Sequence, residues 1–161
     1  LTPSDLGADV VVPGGAERWL SSHAGCMACT LPWVLVHDAA RALIQPETIE
    51  AVADAARQNG SALAAHPLAD TLKREGKGGK VSATINRNHL WSAQTPQGFN
   101  RELLLEAFQN WEDQRDDLPT DEAMLVEALG RSPMLVPSPA SNFKITTPSD
   151  LELAEALLAN R

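Results

Sequence analysis

Short apolar runs alternate along this chain with stretches of helical period, and that alternation narrows the folds open to it more than any single residue does. Trp33–His37 (WVLVH) is apolar on both faces, as a central parallel strand should be. From Pro46 the period changes: Ile49, Val52, Ala53 and Ala56 fall at i, i+3, i+4 and i+7. Pro46 suits a first helical turn and Gly60 suits the end. Ser61–His66 then reads as another short strand. Strand, helix and strand in this order form a crossover unit, so the chain is expected to be α/β, with a mostly parallel sheet and helices on both faces.

The remaining elements follow from the same signals. Val10–Val12 ends at Pro13-Gly14-Gly15 and reads as a buried strand entering a tight loop, whereas Trp19–Thr30 carries no clear helical pattern. Between Asp70 and Arg87 two extended runs flank the turn-rich EGKGGK, which predicts a hairpin, and residues 67–90 are expected to form an arm projecting from a single domain of residues 1–161. Three more helices are predicted. Asn100 caps the first, whose Leu104, Ala107, Phe108 and Trp111 share a face. Thr120 is expected to cap the second, and Thr147-Pro148 opens the last, with Leu151, Ala154 and Leu158 on one side. Met134–Val136 and Lys144–Thr146 read as strands between them.

Charge and composition remove several classes of function. The net charge of −8 and seven aromatics without a Tyr argue against an open nucleic-acid surface. No apolar run approaches the roughly 20 residues of a membrane helix. Two Cys make no disulfide framework, and Leu1–Gly7 shows no signal-peptide pattern, so a cytoplasmic location is expected. Cys26 and Cys29 have redox or zinc spacing, but no second Cys or His pair completes a metal site. Gly76–Lys80 imitates a phosphate loop and fails as one, because Val81 stands where Ser or Thr is needed and a strand follows. No metal-ligand set is found.

His37-Asp38-Ala39-Ala40-Arg41 follows the strongest strand, where ligands collect in open α/β sheets. Asp38 and Arg41 either pair with one another or serve a ligand; the small Ala39 and Ala40, which let a ligand approach the backbone, favour the second. Five of the 13 cationic residues (Lys73, Arg74, Lys77, Lys80 and Arg87) lie between Asp70 and Arg87. Lys77 and Lys80 read as edge protection, but Arg87, with Thr71 nearby in the hairpin, can offer a planar fork to a phosphate. Thr95 and Lys144 add a hydroxyl and another cation, a combination suited to a phosphorylated small molecule.

VHDAAR at Val36–Arg41, DTLKR at Asp70–Arg74, NRNHLWSAQTPQGF at Asn86–Phe99, TDEA at Thr120–Ala123 and NFKITTPSDLELAE at Asn142–Glu155 occur in this order. Together they strongly resemble the 2-C-methyl-D-erythritol 4-phosphate cytidylyltransferases of the non-mevalonate isoprenoid pathway. The resemblance implies a Rossmann-like nucleotidyltransferase fold and a homodimer that exchanges its arms. It implies transfer of CMP from CTP to the methylerythritol phosphate, releasing pyrophosphate, with Mg²⁺ held mainly by the substrate phosphates. It places Asp38 and Arg41 on the hydroxylated carbon chain. Thr71 and Arg87 of the partner's arm would meet the substrate phosphate with Thr95 and Thr120, and Lys144 would approach it from the core. Gly15, Ala16 and Ser21, within GGAERWLS, fall where the family holds cytosine, with Ala39 beside them.

The pattern departs from the family in four places, the first being Trp19–Thr30, which does not look like the helix the family has there. Asn86 replaces the usual Asp, Ala42 replaces the usual Pro, and the family's opening A-A-G-x-G-x-R-M loop has no counterpart. The chain is therefore expected to be N-terminally incomplete, with impaired activity and an exposed sheet edge. Two other readings stay open: a cytidylyltransferase for ribitol 5-phosphate, and a non-catalytic fragment that dimerises or binds a sugar phosphate.

Overall fold

The computed structural model describes residues 7–114 and 118–160. In chain order the elements are α1 (Arg18–Ala28), β1 (Trp33–Val36), α2 (Pro46–Asn59), β2 (Ser61–Pro67), β3 (Leu72–Glu75), β4 (Val81–Ile85), β5 (Trp91–Asn100), α3 (Arg101–Gln114), α4 (Glu122–Ala128), β6 (Met134–Pro137) and α5 (Pro148–Ala159). The main sheet has the order β1-β5-β2-β6. β5 runs antiparallel to both β1 and β2, and β6 pairs parallel with β2. Three of the four strands therefore share one direction, and β5 runs against them between β1 and β2.

Two apolar clusters cover opposite faces. Val34 and Phe99 meet Cys26, Leu104, Ala107, Phe108, Trp111, Leu125 and Val126 from α1, α3 and α4. On the other face Ala62, Ala64 and Val136 pack with Val52 and Ala56 of α2. Small residues let α2 sit close. A Cβ on Gly98 would lie 3.0 Å from the Cβ of Ala56 and 3.2 Å from Cγ1 of Val52, so glycine sets the separation of α2 from the sheet.

Most predicted elements stand. α2 ends at Gly60, whose φ of 86° is the left-handed geometry that glycine adopts at no cost. Asn100 Oδ1 accepts from the amides of Glu102 and Leu103, and the Leu104, Ala107, Phe108 and Trp111 face is buried. The hairpin forms as a separate two-stranded sheet of β3 and β4, joined through a 3₁₀ turn at Lys77–Gly79.

Other elements differ, each for a physical reason. Val10–Val12 is not a strand; Val10 and Val11 are exposed and pair with nothing among the described residues. β1 is an edge of the described sheet, not a central strand. The stretch from Trp19 is helical after all. Ser21, Ser22 and Gly25 dilute its propensity, but Trp19 and His23 stack on Phe108 at centroid distances of 6.4 and 4.8 Å, so tertiary packing decides. β5 went unread because Pro96 and Gly98 interrupt its pattern. Lys144–Thr146 makes no ladder, since the amides of Thr146 and Thr147 are taken by the Asp150 carboxylate at 2.9 and 2.8 Å, in the cap of α5. In α5 only Ala154 of the expected face is buried; Leu151 and Leu158 are each 50% exposed.

Candidate active site

The loop after β1 carries Asp38, and its position is fixed by β5 alongside. The Asp38 amide donates to Thr95 Oγ1 at 2.9 Å, and the same hydroxyl lies 2.9 Å from His37 Nδ1. His37 Nε2 faces the Arg41 carbonyl at 3.3 Å. A carbonyl only accepts, so the contact to Arg41 calls for a proton on Nε2. Buried Thr95 accepts from the Asp38 amide and so shapes the Asp38 backbone.

Three cations surround the Asp38 carboxylate: Lys144 Nζ at 3.2 Å, Arg18 Nη2 at 3.5 Å and Arg41 Nε at 3.6 Å. Burial of Asp38 would raise its pKa, but Lys144, then Arg18 and Arg41, outweigh burial and hold it below the ordinary aspartate value. The Arg41 pKa is lowered too, but there burial wins: it pushes the value down, opposed only by Asp38, and Nε makes no hydrogen bond. Arg41 Nη1 donates to the Asn142 carbonyl at 2.9 Å. Asn142 is buried and donates to Gln94 Oε1 and to the Thr95 carbonyl at 3.0 and 2.9 Å. Lys144 comes two residues later, on a segment tied to the loop by the Ile145 amide, which donates to the Ala40 carbonyl at 2.8 Å. Of the two readings of Asp38 and Arg41, the pairing is observed, and the pair is part of a larger charged cluster.

A second layer was not read from the sequence. Arg18 forks onto Glu122, with Nη1 to Oε1 at 2.7 Å and Nη2 to Oε2 at 2.9 Å, and Glu122 is fully buried. Burial would lower the Arg18 pKa, but Glu122 and then Asp38 more than offset it and raise the value. Glu122 opens α4, whose cap is Asp121, not Thr120. Asp121 Oδ1 accepts from the Met124 amide at 2.9 Å, as suits a carboxylate at a helix N-terminus, and the Thr120 hydroxyl only meets Met124 Sδ at 3.6 Å. Gln97 of β5 holds this turn by donating to Asp121 Oδ2 and accepting from the Ala123 amide, both at 2.9 Å. The QTPQ segment is scaffolding for the Asp38 loop and for α4.

The glycine loop docks on the start of α1. Gly15 N–H donates to Ser21 Oγ at 3.0 Å, and a Cβ on Gly15 would fall 2.3 Å from the Cβ of Leu20, so no other residue fits there without movement. Ala16 is exposed between them. Beside this loop lies a cleft of about 850 Å³, lined among others by Val10, Ser21, Cys26, Leu35, Asp38 and Ala39. Cys26 is buried, Cys29 exposed, and both are free thiols. Thr71 and Arg87 sit exposed at the base of the hairpin, and no hydrogen bond or ion pair joins them to the Asp38 cluster among the described residues. The described residues contain no group of three acidic, His or Cys side chains able to hold a metal. With Asp38 committed to cations, they do not fit a protein-built Mg²⁺ site. No described helix is long and apolar enough to cross a membrane.

Residues 4–160 match the family model IspD, 2-C-methyl-D-erythritol 4-phosphate cytidylyltransferase. The chain belongs to this family. It is 43% identical over 153 residues to the 2-C-methyl-D-erythritol 4-phosphate cytidylyltransferase of Pelotomaculum thermopropionicum, covering 94% of this chain and 64% of the relative. It is 48% identical to the bifunctional enzyme IspD/IspF of an Anaeromyxobacter species, covering 91% of this chain and 39% of that protein. The crystal structure of the family member from Thermus thermophilus superposes with a TM-score of 0.90 at 40% identity, over 99% of this chain and 77% of the other. The likeness to that structure bears out the α/β, Rossmann-like nucleotidyltransferase fold expected from the sequence. The chain spans less than two thirds of the Pelotomaculum relative's length.

Proposed function

We propose that this chain supplies the polyol-phosphate side of a cytidylyltransferase that transfers CMP from CTP to 2-C-methyl-D-erythritol 4-phosphate. The observation that carries the reading is the Asp38 cluster. A carboxylate suited to substrate hydroxyls is held among three cations at the end of β1, beside an open cleft, in a member of this family. With Glu122 included, three cations face two carboxylates, and the net positive charge suits a phosphate.

The substrate phosphate needs no general base, because its second pKa of about 6 leaves the attacking oxygen anionic at neutral pH. That oxygen forms a bond to the α-phosphorus of CTP, and the bond to the β-phosphate oxygen breaks to release pyrophosphate. Lys144, 43% exposed and 3.2 Å from Asp38, offsets the charge of the converging phosphates. Asp38 and Arg41 orient the carbon chain. Gly15, Ala16, Ser21 and Ala39 line the cytosine side, and Thr120, exposed beside the α4 cap, is available to the phosphate.

The hairpin of residues 67–90 serves as a dimerisation arm that places Thr71 and Arg87 at the partner's Asp38 cluster. Both are exposed and make no bond to this chain's own cluster among the described residues, which supports exchange. Mg²⁺ is carried by substrate phosphate oxygens, and the reaction takes place in the cytoplasm. The test is pyrophosphate release from CTP with 2-C-methyl-D-erythritol 4-phosphate or ribitol 5-phosphate, alongside calorimetric binding of each phosphate. Preference for the first compound supports the reading. No release together with no binding of either phosphate refutes it.

A further inference from the structure

Arg18 occupies a position that local electrostatics disfavour. It is the first residue of α1, where the helix dipole repels a cation; the first turn carries no acidic side chain, and the N-cap Glu17 makes no side-chain cap bond. Its partners come from elsewhere in the chain: Glu122, 104 residues away, and Asp38. Glu122 is buried and takes both guanidinium arms, while Nη2 also reaches Asp38 Oδ1 at 3.5 Å. Lysine could not make this arrangement, because a point charge lacks the planar fork that spans two carboxylates.

We propose that Arg18 is a positioning residue, anchored by Glu122 and Gln97 through α4, that sets the direction of the Asp38 carboxylate for the polyol. The proposal rests on the cytidylyltransferase reading for its substrate but not for its geometry. Arg18 touches no reacting atom in this account; it acts through Asp38. Because this fork and the buttress of β5 join α4 to the β1 loop, moving Arg18 releases one of the three cations that fix the carboxylate.

The test uses two variants, because removing Arg18 alone strands a buried charge. Arg18→Met with Glu122→Gln removes both charges together, a change that buried pairs often tolerate. Arg18→Lys keeps charge without the fork. Both are read by steady-state kinetics and by ¹³C titration of the Asp38 carboxyl. The double variant is expected to raise the KM for the polyol phosphate about tenfold, with the KM for CTP within about twofold, and to move the Asp38 pKa up towards the ordinary aspartate value. Arg18→Lys should restore only part of each effect. An unchanged Asp38 titration, or equal rises in both KM values, overturns the proposal. If the parent protein releases no pyrophosphate and binds neither phosphate, the functional reading fails, while the titration still decides the role of Arg18.

Discussion

Gln97 gives the sharpest test of how the scaffold is built. It is 1% exposed, and both ends are used: Oε1 accepts from the Ala123 amide and Nε2 donates to Asp121 Oδ2, at 2.9 Å each, and Nε2 also donates to the Gln94 carbonyl at a longer 3.4 Å. Gln97→Leu keeps the volume and removes the two short bonds with the long one. The Ala123 amide, in a residue 2% exposed, is then left without an acceptor, at a cost of about 1–3 kcal/mol. The bond to the Asp121 carboxylate is charge-assisted and contributes about 1.5–3 kcal/mol, part of which water recovers because Asp121 is half-buried. Leucine returns some apolar burial, so the net loss is about 2–4 kcal/mol. For a chain of this size that lowers Tm by roughly 5–15 °C.

The variant is assayed by thermal unfolding at fixed pH with far-ultraviolet circular dichroism. Gln97→Glu separates the two bonds: it still accepts from Ala123 but sets a second carboxylate against Asp121, and it should be less stable at pH 8 than at pH 5. A Tm for Gln97→Leu within about 2 °C of the parent would refute the argument that these two bonds hold α4.

Three further outcomes follow from the packing and the charges. Phe108→Ala empties a fully buried site beneath Trp19 and His23 and should cost about 3–5 kcal/mol, read by urea denaturation. Gly98→Ala forces α2 outward against the 3.0 Å contact with Ala56 and should cost about 1–3 kcal/mol, with the helix content unchanged. The folded-state pKa of Asp38 lies below its unfolded value, so its contribution to stability is present above about pH 4 and is lost as pH falls through the lower folded value. Asp38→Asn should accordingly flatten the acid limb of a plot of Tm against pH, and an unchanged limb would contradict the ion cluster.

The elements legible in the sequence are those whose signals are local. α2 announces itself by period, proline and glycine, and α5 by Thr147, Pro148 and Asp150, whose capping box uses residues three apart. The hairpin is legible because its turn and its strands are adjacent in the chain. β5 is not legible, because its central place comes from neighbours on both sides, and Gly98 is required where a bulkier residue would collide with α2. α1 is the converse case, a weak helix former held in shape by Phe108. The edges at Val10–Val12 and Lys144–Thr146 failed because apolar or β-branched character says nothing about whether a partner strand is there.

The site divides along the same line. Asp38, Arg41 and Lys144 were found because a strand end and the motif order marked them, and they do come together. Arg18 lies in GGAER and Glu122 in TDEA, yet nothing in the spacing of these motifs says that one side chain forks onto the other. That information is carried by where β5 delivers Gln97, since Gln97 sets the first turn of α4 and the first turn of α4 buries Glu122. A buried carboxylate is stable only when paired, so burying Glu122 selects the residue that faces it, and Arg18 answers that demand at the end of a helix that would otherwise repel it. The charge pattern that orients Asp38 therefore follows from the packing of α4 on β5, and a substitution at Gln97 should reach the site without touching it.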